Sequence, residues 1–331
     1  MVSSQRRRLL AIVAGVGTVG MAGCGALESD DTDVEEDSPA NEDDRNEDGD
    51  ENNGDGSDAI QFSSFEQVSK LTDENGRQNN EFGCSTSIAA DGTTAIVGTV
   101  IGSPVVFEEK DGNWQQITDL TPDGGNTYDR YGGGVSIASN GAVALVGARD
   151  DGNGAAYIFE ETGGSWQQGA RITAESETSE GLEFPVGYSV SLASDGSAAL
   201  IGARIDENGA AYVFEETGGN WQQVAKLTAN DGDQGDAFGY SVSLASDGSA
   251  ALIGAARDED PNGEQAGSAY VFKDTGGQWQ QVAKLTANDG DQGDGFGFSA
   301  SLASDGSAAL IGAVADEDPN GRFAGSAYVF K

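Results

Sequence analysis

The fold is decided by the run Trp221-Gln-Gln-Val-Ala-Lys-Leu-Thr228, Phe238-Gly-Tyr-Ser-Val-Ser-Leu-Ala245, Ser246-Asp-Gly248, Ala250-Ala-Leu-Ile-Gly-Ala255 and Gly267-Ser-Ala-Tyr-Val-Phe272. Tyr240, Val242 and Leu244 alternate with Ser241, Ser243 and Ala245, the period of two of a pleated strand. Ala250–Ile253 is short, continuously apolar and followed by Gly254, as a strand buried on both faces would be. Asp247-Gly248 supplies the positive φ of a tight hairpin turn. Thr217-Gly-Gly219 turns the preceding Tyr-Val-Phe strand back into the Trp221 strand. No segment of useful length has a 3.6-residue period, so helix is not expected after the first two dozen residues.

Outward from this copy, the pattern repeats. Tryptophans stand at 114, 166, 221 and 279, and the strand ending in Tyr-x-Phe recurs at Phe159, Phe214, Phe272 and Phe330, with Val-Val-Phe107 in the first copy. A unit of 50 to 58 residues holding about four short strands is the sequence signature of a propeller blade. The expected fold is therefore all-β: a β-propeller of five blades, each of four antiparallel strands, over residues 61–331. The last copy stops at Phe330-Lys331 without a Trp-Gln-Gln strand, and that strand stands instead at the start, as Phe65-Glu-Gln-Val-Ser-Lys-Leu-Thr72. This predicts a ring closed by the N-terminal strand 65–72, which would pair with the last blade and hide its edge. The rival is an open ring, or one completed by another chain.

The repeat resembles the FG-GAP family, best known from the propeller of integrin α chains. Phe-Gly stands at 82–83, 238–239 and 296–297, with Tyr131-Gly132 and Val186-Gly187 as variants. Gly-Ala stands at 147–148, 202–203, 254–255 and 312–313, without the proline. The resemblance implies a propeller and, through its best-known members, a binding or adhesion role. The integrin-type calcium site would lie between the Phe-Gly and Gly-Ala strands, where this chain has only Ser-Asp-Gly.

Ahead of the repeats, Arg6-Arg7-Arg8-Leu9-Leu10 precedes an apolar run from Ala11 to Ala22. A basic start and an apolar run too short to span a bilayer predict a signal peptide over 1–23. The paired arginines resemble a twin-arginine export signal, and Met21-Ala22-Gly23-Cys24 resembles a lipobox, which makes Cys24 the expected lipidation site and membrane anchor. An uncleaved membrane anchor is the alternative. Residues 28–58 hold 16 acids and a single base, Arg45. Such a segment buries too little to order itself, so 24–60 is expected to be a lipidated, extended, disordered acidic tether.

The formal net charge is -39, from 17 Lys+Arg against 56 Asp+Glu. That much repulsion weakens a compact fold unless salt shortens the Debye length to about 3 Å at 1 M. The composition resembles that of proteins from salt-loving microbes; an acidic surface that gathers divalent cations is the other reading. No basic surface exists to neutralise phosphates, so nucleic acid is not an expected partner. The chain has no histidine, which removes Ser-His-Asp and Cys-His nucleophile systems and imidazole metal sites. With Cys24 and Cys84 its two cysteines, it has no disulfide framework.

Two sets of loop residues are candidates for chemistry. Asp258, Asp260 and Asn262, repeated as Asp316, Asp318 and Asn320, begin like a calcium loop, with oxygens at alternate positions ahead of a glycine. Neither copy carries the closing glutamate, and an acidic turn without an ion is the alternative. Asp231, Asp233 and Asp236, repeated as Asp289, Asp291 and Asp294, lie between an outer strand and the next inner strand. They would gather at one mouth of a propeller, as a cation or ligand site or as solvated loops. The tryptophans, fixed at the start of outer strands, are expected to pack between blades rather than to stack sugars. No catalytic residue is singled out. These features predict a surface-anchored, non-enzymatic binding or adhesion module with a protein or glycan partner and, as cofactor, calcium at most. The alternatives are a carboxylate-dependent glycosidase and a structural protein of the cell envelope.

Overall fold

The computed structural model describes residues 67–124, 130–174, 186–204, 209–259, 261–317, 321 and 323–331. The expected signal peptide, Cys24 and the acidic tether lie outside these residues. Leu71–Lys331 falls in one compact unit. It is all-β, and its strands form five antiparallel sheets in chain order, the blades of a propeller.

The first sheet contains β1 (Thr86–Ile88), β2 (Thr94–Val97), β3 (Val105–Lys110) and β4 (Asn113–Asp119). The second contains β5 (Tyr131–Ile137), β6 (Val143–Ala148), β7 (Ala155–Thr162) and β8 (Ser165–Ile172). The third contains β9 (Ser189–Leu192), β10 (Ala198–Ala203), β11 (Ala210–Thr217) and β12 (Asn220–Leu227). The fourth contains β13 (Phe238–Leu244), β14 (Ala250–Ala255), β15 (Ser268–Asp274) and β16 (Trp279–Leu285). The fifth contains β17 (Phe296–Leu302), β18 (Ala309–Ala313) and β19 (Ser326–Phe330).

The hydrophobic cores lie between neighbouring blades. One cluster joins Leu200, Ala211 and Val213 of the third blade to Phe238, Val242, Ile253, Tyr270 and Phe272 of the fourth. Another joins Leu252 and Ala269 of the fourth to Phe296, Ala300 and Ile311 of the fifth. Alternation along a strand thus sorts side chains between the preceding and the following blade. This explains why Ala250–Ala255 is buried throughout. Trp279 packs against the first of these clusters, and Trp221 against the equivalent cluster between the second and third blades, as their fixed place in the repeat predicts.

The serines of the inner strands are buried as well. Ser191 Oγ accepts from Leu244 N at 3.1 Å, and Ser243 Oγ accepts from Leu302 N at 3.0 Å. Ser241 Oγ donates to Gly297 O at 2.8 Å. Each satisfies a buried polar group across a blade boundary. The glycines of the Phe-Gly and Gly-Ala motifs meet at the same boundary. Gly297 has φ +92°, and a Cβ placed on Gly254 would lie 2.0 Å from Gly297 O. Gly202 and Gly239 O, and Gly147 and Gly187 O, stand in the same relation, each at 2.3 Å.

The closing strand is where sequence and structure part. Residues 67–72 carry no strand, Phe65 and Glu66 lie outside the described residues, and the fifth sheet has three strands. The face of the fifth blade away from the fourth is left largely uncovered by the described residues: Leu310 is 48% exposed and Val329 66%, whereas the equivalent Leu252 is fully buried. The physical reason is a missing tether. Gln222–Lys226, of like composition, form the outer strand β12 directly across a tight turn from β11, whereas Gln67–Lys70 has no turn joining it to β19, so its few apolar contacts would have to offset the whole entropy of ordering and closure. The chain joins the compact unit at Leu71, which packs on Val97, Val105 and Phe107 of the first blade. Glu74 N then donates to Gln116 Oε1 at 2.9 Å, the bridge that Asn230 N makes to Gln281 Oε1 between later blades. The start of the folded region therefore occupies, on the first blade, the seat that Leu227 and the loop after β12 occupy on the fourth.

Candidate functional site

The two ends of the blades are built differently. At one end, strands one and two are joined by Asp-Gly or Asn-Gly turns, and strands three and four by Thr-Gly-Gly or similar tight turns. Asp247 Oδ1 accepts from Ser249 N at 2.9 Å and from Ser249 Oγ at 2.7 Å, which holds that carboxyl below the usual carboxylate range. The connections between strands two and three, and from each outer strand to the next blade, all emerge at the opposite end. The described members of both sets of candidate acids lie there.

The fourth blade brings the two sets together. β13 begins two residues after Asp236, and its antiparallel partner β14 ends three residues before Asp258, so Phe238 pairs with Ala255 and the acids flank that pair. Asp236 and Asp258 are buried and Glu259 is exposed, and one carboxylate oxygen from each lies within 4.8 Å of the others. Asp233 N donates to Asp236 Oδ2 at 2.7 Å. Asp236 Oδ1 is buried and makes no hydrogen bond. Burial, reinforced by the charges of Asp258, Glu259 and Asp233 against that one hydrogen bond, pushes the Asp236 carboxyl up to about 6.

Asp258 is held from its other side. Its Oδ2 accepts from Tyr270 OH at 2.5 Å and lies 3.0 Å from Lys284 Nζ, which also reaches Asp231 Oδ2 at 2.9 Å. Burial opposes ionisation at Asp231, but the Lys284 ammonium outweighs it and keeps the carboxyl below its ordinary range. Burial, with Asp258 next, pushes the Tyr270 phenol up. The second blade repeats the clamp, Asp151 Oδ2 meeting Tyr157 OH at 2.7 Å and Arg171 Nη2 at 2.9 Å. In the fifth blade Tyr328 OH donates to Asp316 Oδ2 at 2.7 Å, and Asp291 N donates to the buried Asp294 at 2.7 Å.

Of the expected calcium loop, Asp258 joins this cluster, whereas Asn262 turns away and donates through Nδ2 to Ala287 O at 2.9 Å. Asp260, Asp318 and Asn320 lie outside the described residues. Asp231 and Asp233 are exposed on the same loop as Asp236, and Asp289 and Asp291 are exposed beside Asp294. Sequence reasoning kept the two sets apart and missed Glu259, Tyr270 and Lys284. Their signal was there: an acid three residues beyond the Gly-Ala strand accompanies a tyrosine in the third strand and a base near the end of the fourth.

Sequence reasoning also missed a row of rings at this end. A bulge between Phe238 and Ser241 takes Tyr240 out of the ladder. Its ring lies 5.2 Å from Tyr188 and 4.7 Å from Phe298. The Arg204 guanidinium lies over both tyrosines, at 5.1 and 4.9 Å, and Arg149 lies over Tyr188 at 5.1 Å. In a chain with few bases, two at the mouth of the inner strands are a concentration.

The FG-GAP repeat model matches residues 114–159, 166–214, 221–272 and 279–330, more than half of the chain. The chain belongs to the FG-GAP repeat family. Each match runs from an outer strand to the third strand of the next blade, so the family's unit spans a blade boundary, as the paired glycines do. No curated protein matches the chain. Among solved structures, Kuenenia stuttgartiensis hydrazine synthase is similar at 14% identity and a TM-score of 0.48, over 74% of this chain and 70% of that one. A putative 6-phosphogluconolactonase from Bacteroides fragilis is similar at 13% identity and a TM-score of 0.43, over 63% and 56%.

Proposed function

We propose that this FG-GAP propeller is a non-enzymatic binding module, exported and held at the outer face of the membrane by lipid on Cys24, that presents one face to a protein or glycan partner. The observation that carries the reading is the asymmetry between its two ends. Tight turns close one end, while the other gathers Asp231, Asp233, Asp236, Asp258 and Glu259 with Arg149, Arg204 and the ring row. A scaffold that spends its side-chain variety on one set of loops presents that set. The acidic 24–60 segment fits a spacer between anchor and propeller, and the charge fits work in concentrated salt.

A glycosidase is the second reading, because Asp236 is a carboxyl of raised pKa beside a second carboxylate, the pairing a general acid needs. Burial of Asp236 at 2% exposure stands against it, since a sugar must reach the acid. The test is to challenge the full chain, in molar potassium chloride, with envelope polysaccharides and surface proteins immobilised on an array. Saturable binding that is lost on replacing 229–236 with a short Gly-Ser loop, without cleavage of the bound chain, is the expected result. Released oligosaccharides would transfer the assignment to the enzyme.

A further inference from the structure

We propose that Asp236, Asp258 and Glu259 form a site for a calcium-type divalent cation, bridging the loop that enters the fourth blade and the loop between its second and third strands. A group of acids on an acidic surface is by itself no site. What distinguishes this one is Asp236 Oδ1: 2% of the residue is exposed, Oδ2 takes the Asp233 amide, and Oδ1 has no donor among the described residues. An unpaired buried carboxylate oxygen is strongly unfavourable unless the group neutralises or a cation meets it. A carboxylate oxygen of Asp258 and one of Glu259 lie within 4.8 Å of an Asp236 oxygen, and their charges worsen the cost.

Lys284 does not resolve it, because its ammonium is placed on Asp258 Oδ2 and Asp231 Oδ2. It trims the local charge without supplying Asp236 with a donor. A hard cation among three carboxylate oxygens suits ligands of this kind, with water filling the exposed Glu259 side. The frame is already rigid. Gly267 N donates to Asp258 O at 2.8 Å, Gly263 N to Glu259 O at 2.8 Å and Arg257 N to Asp236 O at 3.1 Å. The ion would fasten two loops of the presented face, and it would lie away from the Ser-Asp-Gly turns at the opposite end.

The test uses the full chain, stripped with chelator and kept in molar potassium chloride so that diffuse binding to the surface is suppressed. Calcium is titrated by calorimetry and by thermal melting, on the wild type, Asp236→Asn and Asp294→Asn. Saturable binding and a raised melting temperature are expected in the wild type. Asp236→Asn should weaken binding at least about tenfold, whereas Asp294→Asn, at the equivalent place one blade later, should keep the Asp236 site. Identical isotherms for wild type and Asp236→Asn would overturn the proposal, as would a wild type without saturable binding. Should Asp236→Asn not fold, terbium emission sensitised through Tyr270, lost in the exposed variant Glu259→Gln, decides in its place. Terbium emission absent from the wild type, or retained in Glu259→Gln, would count against the site.

Discussion

At the scale of single residues, the family's glycines act as a pair across a boundary. Gly297, at positive φ, turns its carbonyl toward Gly254 of the blade before, leaving no room for a Cβ. The clash falls on backbone, which cannot step aside. Gly312 holds the same place in the fifth blade, where the nearest atom to an added Cβ is Ser299 Oγ at 2.5 Å, the end of a side chain that can rotate. Gly254→Ala should therefore cost about 1–3 kcal/mol or more by forcing two blades apart, and Gly312→Ala less than about 1 kcal/mol. Urea unfolding of the two variants checks this. Equal losses would mean that a neighbour also presses on Gly312.

At the scale of elements, each blade is a strip whose two faces belong to two different cores. β14 shows this with both faces buried, and β18 shows the half-built case, with Ile311 buried toward the fourth blade and Leu310 exposed on the other side. Leu310→Thr and Val329→Thr should each change stability by no more than about 0.5 kcal/mol, whereas Leu252→Thr should cost about 2–4 kcal/mol. A large loss at Leu310 or Val329 would reveal a cover on that face. With β19 also lacking an outer neighbour among the described residues, this blade combines an exposed edge with exposed apolar side chains, the combination that natural sheets usually blunt.

At the scale of the whole molecule, charge governs. A net -39 exceeds what the few ion pairs among the described residues offset, and surface pairs contribute little in any case. The buried apolar clusters between blades hold the structure together while repulsion works against them at every acidic loop. Raising potassium chloride from about 0.1 to 2 M shortens the screening length from about 10 Å to under 3 Å. The melting temperature should rise by roughly 10 °C or more, since a few kcal/mol moves a domain of this size by several degrees. Differential scanning calorimetry across the salt series measures it. A flat or falling series would remove the case for a surface adapted to brine.

The repeat and its strands were legible in the sequence because both are local. The period of two, the Asp-Gly turns and the tryptophan spacing each lie within one unit, and copies in register multiply a weak signal. Why the serines alternate with apolar residues was not legible, because the partner of Ser243 is Leu302 N, 59 residues away and across a blade boundary. Tertiary structure alone set Asp236 beside Asp258: 22 positions apart, they meet because β13 and β14 are antiparallel and begin and end at the same rung. It also decided the fate of residues 67–72, which carry no strand. Likeness to the other copies marks that segment as an outer strand, but β12 is tethered to its partner by a tight turn, and a strand that must find β19 from the far end of the folded region meets a closure entropy that likeness does not contain.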